Sequence, residues 1–532
     1  MMPQSASRRK SLTAGAELRY ADLKSPCHII LQGGLAMTTL PRKSAARISR
    51  RAALKTGATL AAGVAGGTTF AAAAPDVQRI ESLPAVNPMG PKLIKGGTIV
   101  SMDAKVGDLV KGDVLIEGTK ISAIAPHIDA ADAQAIDAED CIVVPGFVDC
   151  HRHSWEAQLR RINPNSPTLA DYMNATHLSF AKAYRPRDHY VGNYLTAVGC
   201  IDAGITCVID NSHNSRSAAH SDAAIEALFD SGIRAIHASG PPGAGEWDHQ
   251  WPADLARLQK QYFSSADQLV TLRMFSGPVR ENWEFARKLG LRITTEFQGP
   301  KMADLLDPLA AAKLVGPDNT FNHCGALPER TWKIFVDTGA NIDVCPRSDA
   351  QYALGEGVCA LQHAWDHGIK PGLSVDNETS YSTDMFMEMR TAFYLQRAVA
   401  QNRRFAGDQN PPKPLMVRDV LHCATVAGAH CAGLDAKIGS LTPGKEADLL
   451  IIRTDDINLY PSNNAIGTVV QAAERSNIDT VIIGGRVRKS HGKVVGLDMA
   501  RLQTMVEESL GHLFTTVGYK PDVFAELLPK LT

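Results

Sequence analysis

The feature that most constrains this chain is the segment VVPGFVDCHRH at residues 143–153, which ends in two histidines one residue apart. The apolar residues before them predict a short strand, and alternate side chains of a strand face the same way. His151 and His153 therefore project together from the strand end, where two imidazoles can bind one metal ion. The alternative is a pair of surface histidines at this spacing by chance, which the preceding Pro-Gly-Phe-Val-Asp makes less favoured.

The middle of the chain contains eight short apolar runs, each followed by loop residues and a segment with helical periodicity. The runs are 142–149, 205–210, 233–238, 270–275, 291–295, 320–323, 342–345 and 372–376. Eight repeated βα units favour a (β/α)8 TIM-type barrel over an open doubly wound sheet. No glycine-rich phosphate motif follows the first run, which argues against a dinucleotide-binding oxidoreductase.

Short alternating β segments lie on both sides of this region, at residues 91–140 and 438–488. They predict a small β-sandwich domain built from both ends of the chain. The expected organisation is a leader over 1–74, the N-terminal half of the β-sandwich over 75–141, the barrel over 142–435, the C-terminal half of the β-sandwich over 436–495, and a helical tail over 496–532.

The N-terminal segment resembles a twin-arginine export signal. Arg50 and Arg51 precede a glycine-rich, weakly apolar stretch that ends in alanines near residues 71–73. The alternative is a basic linker before a flexible tail. The stretch is too weakly apolar to favour a permanent membrane span. We therefore expect twin-arginine export machinery as a partner and a periplasmic or exported location, with Met37 a better start than Met1.

Charge and cysteine content exclude several classes of function. The net charge is −1, from 55 basic and 56 acidic residues, which gives no electrostatic case for nucleic acid or an anionic membrane as partner. The 10 cysteines form no CxxC pairs, so neither a disulfide framework nor a zinc ribbon is indicated. A small-molecule substrate remains the expected partner.

Two further residues lie at predicted strand ends, where the active sites of such barrels are built. His323 ends the sixth run and Asp376 ends the eighth, so both are expected beside His151 and His153. Two imidazoles and a carboxylate suit one divalent ion, Zn²⁺ or Fe²⁺, and leave a position open for water. Asp376 can then accept the proton of that water, and His323 can stabilise an oxyanion or guide the leaving group.

Other polar residues near strand ends are weaker candidates. Trp155 and Glu156 follow the histidine pair and are predicted, from proximity alone, to contact the substrate. His213, His237 and Arg347 also lie near strand ends, but structural roles are favoured for all three.

With these residues in place, the chain resembles the amidohydrolase superfamily over roughly residues 91–498. The branch it resembles holds triazine-type chlorohydrolases, cytosine and guanine deaminases, and S-adenosylhomocysteine deaminases. The resemblance implies the same barrel with its small β domain, and a sixth-strand histidine and eighth-strand aspartate at the places of His323 and Asp376. Members commonly form oligomers, so a homo-oligomer is possible.

The fifth run departs from the family pattern of a ligand histidine followed three residues later by a catalytic glutamate. Glu296 stands where the histidine belongs and Gly299 where the glutamate belongs. Glu296 is therefore a metal ligand in place of the histidine, the acid/base of a site that lacks the fifth-strand ligand, or a structural residue of a weakened site. The three alternatives stay open at this point.

The predicted function follows from this set. The binuclear branch of the family that the chain resembles needs a fourth-strand lysine, which is carboxylated and bridges two metals. The fourth run, 270–275, has no lysine, so the resemblance implies a mononuclear site. The chain is expected to be an exported amidohydrolase that uses a metal-activated water on a C–N bond of a small heterocyclic or amide substrate, as a deaminase or an amide or ring hydrolase. The alternative is a degenerate or metal-poor barrel that binds a small molecule with little turnover.

Overall fold

The computed structural model describes residues 90–525. The predicted export signal and residues 526–532 therefore lie outside the described residues.

The described chain begins with five short strands of one sheet. They are β1 (Lys92–Ile99), β2 (Leu109–Glu117), β3 (Lys120–Ala125), β4 (Gln134–Asp137) and β5 (Cys141–Pro145). Strand β1 pairs antiparallel with β2 and parallel with β4 and β5. Alternation places Ile94, Val114 and Ile116 in a fully buried apolar core on one face.

Eight parallel strands follow, and each pairs with the next along the chain. They are β6 (Phe147–Arg152), β7 (Ile205–Ser212), β8 (Arg234–Ser239), β9 (Val270–Phe275), β10 (Ile293–Phe297), β11 (Asn319–His323), β12 (Asn341–Val344) and β13 (Gly372–Leu373). The segment after β13 closes the barrel against β6, because the backbone N–H of His153 donates to Asp376 O at 2.8 Å and that of Asp376 donates to His151 O at 2.9 Å. The predicted TIM-type barrel is confirmed.

Helices connect and surround the barrel strands. They are α1 (Leu169–Ala175), α2 (Pro186–Asp202), α3 (Ala218–Ser231), α4 (Asp254–Tyr262), α5 (Arg280–Lys288), α6 (Gly299–Ala311), α7 (Glu329–Thr338), α8 (Pro346–Tyr352), α9 (Leu361–Asp366), α10 (Met385–Phe405), α11 (Val417–His422) and α12 (Gly428–Ala432). Short 3₁₀ segments span Ser154–Leu159 and Phe180–Ala183, and a π segment spans Cys423–Ala427. Local chemistry sets the ends: the Asp384 side chain accepts the Met387 N–H to start α10, and Gly232 at φ +71° ends α3.

The last portion of the described chain returns to the small sheet. It contains β14 (Leu449–Arg453), α13 (Ala465–Gly467), a π segment (Thr468–Ala472), a 3₁₀ turn (Arg475–Asn477), β15 (Ile478–Ile483), β16 (Arg486–Ser490), β17 (Lys493–Val494) and α14 (Met499–Val517). Strand β14 pairs antiparallel with β5, so one 9-stranded sheet combines segments from before and after the barrel. Edge strand β3 is joined to the segment before β14, because the Ile121 N–H donates to Lys445 O at 2.9 Å. The small β domain built from both ends is confirmed.

The two faces of the β5–β14 pair serve different cores. Val143 and Ile451 lie opposite each other and pack inside the small sheet domain. Ile142 and Ile452, one residue away in the same pair, pack into the main core with barrel residues. Because alternate residues of these strands face opposite sides, one side packs within the small sheet domain and the other packs against the barrel. The buried apolar contact on the second side attaches the sheet to the barrel.

Two predicted strands differ from the structure. The run 142–149 is divided between β5 and β6 at Gly146, where the chain passes so close to Thr206 that an added Cβ would lie 2.1 Å from Oγ1. Residues 438–441 do not form a strand; they cross as a bend that buries Ile438 and Leu441 in two different cores. The apolar residues Ile438 and Leu441 are buried without forming a strand, and their apolar character led to the wrong strand prediction at 438–441.

Between residues 90 and 525, no helix combines the length and apolar character that crossing a membrane requires.

Candidate metal centre and active site

The C-terminal mouth of the barrel brings together the five side chains that the sequence assigned to chemistry. His151 and His153 come from the end of β6, Glu296 from β10, His323 from the last position of β11, and Asp376 from just beyond β13. All but Glu296 are buried, and the Glu296 side chain is 36% exposed. The structure thus assembles the predicted set, while the role of each residue stays a prediction.

Both histidines of β6 point their Nε2 atoms at the same two carboxylates. His151 Nε2 lies 3.1 Å from Asp376 Oδ1 and 3.3 Å from Glu296 Oε1. His153 Nε2 lies 3.3 Å from Asp376 Oδ1 and 3.5 Å from Glu296 Oε1. Four donor atoms from three segments of the barrel therefore converge on one point.

This spacing fits a single divalent ion. Nitrogen and oxygen ligands lie about 2.0–2.2 Å from zinc, so the corners of a tetrahedral site are about 3.4 Å apart. Glu296 Oε1 is buried and makes no hydrogen bond with any residue in the described region of the chain, although two imidazole nitrogens face it. An orphaned carboxylate oxygen aimed at two imidazoles fits a cation as the missing partner.

A second combination of donors is possible at the same place. The ligand atoms of His151, His323 and Cys345 also lie within 4.8 Å of one another. Because His151 belongs to both groups, this set is not an independent site. Burial raises the pKa of the Cys345 thiol well above its usual range, which disfavours the thiolate that a metal requires.

Electrostatics keep the two carboxylates ionised. Burial opposes the charge of Glu296, but His151, His323 and His153 outweigh it and lower the pKa of Glu296 to about 2. Burial also opposes the charge of Asp376, but the hydrogen bond from His151 and the charges of the nearby imidazoles lower the pKa of Asp376 well below its usual range. Two anionic oxygens beside two imidazoles give the charge that a divalent ion prefers.

His323 is held by a residue that the sequence did not single out. Its Nδ1 lies 2.7 Å from Oδ1 of Asp349, on α8, and its Nε2 lies 3.2 Å from Glu296 Oε2. The buried Asp349 therefore orients the His323 ring toward the fifth-strand carboxylate. Asp349 follows the end of β12 by five positions, so a search for polar residues just beyond each strand could have found it.

The backbone at two of these positions adopts the left-handed region. His323 has φ +66° and Asp376 has φ +72°. Non-glycine residues adopt this region at a cost, and such outliers cluster at functional sites. A hydrogen bond from the Ser348 hydroxyl to Asp376 Oδ2 fixes the second oxygen of that carboxylate.

The fifth strand shows what replaces the family pattern. Glu296 is the fourth residue of β10, and Gly299 begins α6 at φ +74°. A Cβ added at Gly299 would meet nothing within 4 Å. The position where the family carries its glutamate is therefore open space, and Glu296 provides the carboxylate of this strand.

Trp155 and Glu156 do not present an exposed surface at the barrel mouth. Both are fully buried in the 3₁₀ segment after β6. Glu156 accepts hydrogen bonds from the Tyr172 hydroxyl at 2.8 and 2.9 Å and lies 3.1 Å from His177 Nε2. The predicted direct contact of Trp155 and Glu156 with the substrate stays a prediction.

His213 has a closer relation to the metal candidates than the sequence suggested. Its Nε2 lies 2.8 Å from Nδ1 of His153, and their rings meet edge to face at 4.4 Å. His177 packs on His213 at 4.7 Å, and Trp155 packs on both rings. His213 lies one residue beyond β7, so the strand-end rule marks it, while only the folded chain shows its contact with His153.

The remaining two strand-end candidates have structural contacts. His237 is fully buried, with Nδ1 3.1 Å from Asp210 Oδ2. Arg347 Nε donates to Glu388 Oε1 at 2.6 Å. These contacts agree with the structural roles favoured for both.

Comparison with known sequences finds similarity to one family. The profile of the Amidohydrolase family matches residues 284–488. That range includes Glu296, His323 and Asp376 but does not extend back to the first-strand histidines. The chain is 26% identical over 440 residues to a 5-methylthioadenosine/S-adenosylhomocysteine deaminase of Pelotomaculum thermopropionicum, covering 78% of this chain and 97% of that protein. It is 25% identical over 435 residues to a 5′-deoxyadenosine deaminase of Methanobrevibacter smithii, covering 76% and 94%.

Solved structures share the fold. An adenosine deaminase from Xanthomonas campestris with bound zinc superposes with a TM-score of 0.69 at 22% identity, covering 80% of this chain and 98% of that one. A mutant atrazine chlorohydrolase from Arthrobacter aurescens, complexed with zinc and atraton, gives a TM-score of 0.68 at 22% identity, covering 79% and 99%. At this identity the likeness concerns the barrel and the small sheet.

Proposed function

We propose that the chain, which is similar to the amidohydrolase family over residues 284–488, is a mononuclear metal-dependent hydrolase of a C–N bond in a small heterocyclic or amide substrate. The observation that carries the proposal is the convergence of His151, His153, Glu296 and Asp376, with neighbouring donor atoms 3.1–3.5 Å apart. Deaminase relatives favour a deamination-like reaction in which water replaces an amino group.

The four converging side chains would hold the ion, with Glu296 in the place of a fifth-strand histidine. A divalent ion bound there supplies Lewis acidity that lowers the pKa of water from 15.7 to about 7. Zinc in two similar folds supports Zn²⁺, and the same ligands also suit Fe²⁺.

The residues of the chain divide the proton transfers. Asp376 accepts the proton of the attacking water while the new C–O bond forms, and Ser348 fixes its second oxygen. His323, oriented by Asp349, delivers a proton to the leaving nitrogen as the C–N bond breaks. This assignment follows from Gly299, which removes the glutamate that usually carries that proton.

A panel assay tests this function. Purified protein is analysed for metal and then mixed with adenosine, 5′-methylthioadenosine, S-adenosylhomocysteine and 5′-deoxyadenosine, with ammonia release as the readout; chloride release from atrazine forms a separate arm. We expect about one Zn or Fe per chain and turnover that is lost on chelation and restored by metal. Folded protein without metal, and no turnover on added Zn²⁺ or Fe²⁺, would contradict the proposal.

One observation favours a second candidate, a barrel that binds a small molecule with little turnover. Gly299 has no side chain at the position where the family carries its acid/base glutamate. A Cβ added there would meet no other atom within 4 Å, so no other carboxylate takes that place. Binding of a panel compound without any product, in metal-loaded protein, would support this second function.

Export by the twin-arginine route completes the proposal and rests on Arg50 and Arg51 before the alanine-rich stretch. Replacing both arginines with lysine should keep the full-length protein in the cytoplasm. Cell fractionation measures this, and unchanged delivery to the periplasm would remove the export assignment.

A further inference from the structure

A cavity lies at the end of the barrel opposite the metal candidates. Its volume is about 610 Å³, and it opens between the C-terminus of α3, the starts of β8 and β9, and the small sheet. Residues that line it include Lys120, Phe229, Gly232, Arg486 and Arg488. The proposed function leaves this cavity without a role.

Two arginines of β16 face the cavity together. Arg486 and Arg488 both belong to β16 and both line the cavity, and a β-bulge at Arg488 interrupts the alternation of the strand. Arg488 is only 8% exposed, and its buried Nε has no hydrogen-bond partner in the described chain. Within residues 90–525, neither guanidinium has an acidic group within ion-pair distance.

The guanidinium of Arg488 lies directly over the end of α3. A Cβ added at Gly232 would lie 2.3–2.5 Å from its guanidinium atoms. The negative end of the helix dipole makes an unpaired cation tolerable at this place. It does not satisfy the Nε–H of Arg488, which has no hydrogen-bond partner among the described residues.

The cavity carries an excess of positive charge. Five of its lining residues are lysine or arginine and two are acidic. Glu446 lies 3.8 Å from Arg234, and Asp267 lies 2.8 Å from Lys437, so both acids already face cations. Arg486, Arg488 and Lys120 remain as cations without an ion pair among the described residues.

We propose that this cavity binds a phosphate group between Arg486 and Arg488. A buried guanidinium without an anion is unfavourable, and its planar donors match phosphate oxygens. Two or three cations balance the two negative charges of a phosphate dianion better than they match the one charge of a carboxylate. The Phe229 ring and the space beyond one phosphate favour a phosphorylated small molecule as the source.

Inorganic phosphate and adenosine 5′-monophosphate are the two probes, because they separate free phosphate from the phosphate of an organic molecule. Calorimetric titration of the full chain, with chloride matched for ionic strength, gives the affinity for each. We expect Arg486→Gln and Arg488→Gln each to weaken phosphate binding at least about tenfold, since each removes a charge-assisted contact. Arg404→Gln is the matched control: it removes the same charge from an exposed position of α10 outside the cavity, and its affinity should equal the wild type.

Two variants locate the phosphate and separate binding from stability. Phosphate can also bind a metal at the barrel mouth, so His153→Ala should retain phosphate binding if the arginine cavity is responsible. If Arg488 only caps α3, Arg488→Gln lowers the thermal midpoint but leaves phosphate affinity unchanged.

The outcomes are distinct from those of the proposed hydrolase. Tighter binding of adenosine 5′-monophosphate supports an organic phosphate, and equal binding supports free phosphate. Absence of binding to the wild type, equal affinity in all variants, or loss in His153→Ala alone would overturn the proposal. None of these results depends on turnover.

Discussion

The barrel mouth has two sides that place histidines in opposite electrostatic settings. The first, which we call the imidazole side, consists of His153, His177 and His213. Burial and the neighbouring His151 lower the pKa of His153. Burial, together with His153 and His177, lowers the pKa of His213 well below its usual range. His153 and His213 are therefore neutral near pH 7 and can act as nitrogen donors or hydrogen-bond partners.

The second, which we call the carboxylate side, consists of Glu296, Asp349 and Asp376. Burial disfavours a charge on His151 as well, but Glu296 and Asp376 raise its pKa to about 9. Burial opposes the charge of His323 too, but the hydrogen bond and charge of Asp349 raise the pKa of that ring. The same residue type thus receives opposite shifts within one site, according to whether imidazoles or anionic groups face it.

From this difference we expect separate tasks for the two sides in the proposed mechanism. Neutral imidazoles can bind a cation without charge repulsion among themselves. The carboxylates would balance the charge of the ion and accept protons. His151 contacts His153 on the imidazole side and Glu296 and Asp376 on the carboxylate side. Variants of His151 and His153 therefore test the difference between the two sides most directly.

The largest expected effect comes from removing an imidazole of the β6 pair. His151→Ala or His153→Ala should abolish metal binding, because each deletes one of few ligands on a shared strand. Metal content after equilibration with equimolar Zn²⁺ measures the loss. His430→Ala, at an exposed helical position, is the control and should keep the wild-type content. A wild-type metal-to-protein ratio in either β6 variant would show that the replaced histidine is not a metal ligand.

A change on the carboxylate side tests proton transfer when the metal content of the variant is matched to that of the wild type. Asp376→Asn should keep the fold and reduce kcat by about 10²–10⁴-fold, because an amide cannot accept the proton of water. Turnover of a substrate found in the panel, with circular dichroism as the fold control, provides the measurement. A kcat close to that of the wild type would show that Asp376 has another role.

Glu296 decides whether the fifth strand belongs to the metal or to the proton pathway. Glu296→Gln should weaken metal affinity, since a neutral amide binds a divalent cation poorly, and Glu296→His should retain it. Chelator competition and turnover are measured on the same two proteins. If both variants keep metal and lose rate, Glu296 carries protons; if both are unchanged in metal and rate, it is scaffold.

The smallest expected effect lies deeper on the imidazole side. His213→Ala should weaken metal affinity about tenfold, because a partner of a ligand histidine orients its ring. The effect stays limited because Asn211 O, 3.3 Å from His153 Nδ1, remains as an acceptor. His213→Gln keeps an acceptor oxygen and should lose less. Identical chelator competition curves for His213→Ala and the wild type would remove His213 from the site.

Much of this arrangement could be predicted from local patterns. Alternation placed His151 and His153 on one face, and the strand-end rule for barrels marked His323 and Asp376. Those rules do not give the contacts of side chains that arrive from helices and loops. Asp349 follows β12 closely enough to be marked, but its contact with His323 depends on how α8 folds back over the mouth. The position of His177 depends in the same way on the segment after α1, which no short-range periodicity encodes. Residues 142–149 show the same limit, because only the packing of Gly146 against Thr206 reveals the break between two sheets.

The pairing of β5 with β14 has a consequence for the order in which the chain can fold. Strand β5 leaves the ribosome about 300 residues before its partner, an interval that takes on the order of tens of seconds at ~5–20 residues per second. Until β14 arrives, the edge of β5 is exposed, and an exposed apolar edge is a template for aggregation. Truncation before residue 449 would therefore remove β14 and leave the small sheet incomplete at β5. This would hold even if the barrel, which lies between β5 and β14 in the sequence, were complete. The protein closes its first domain last.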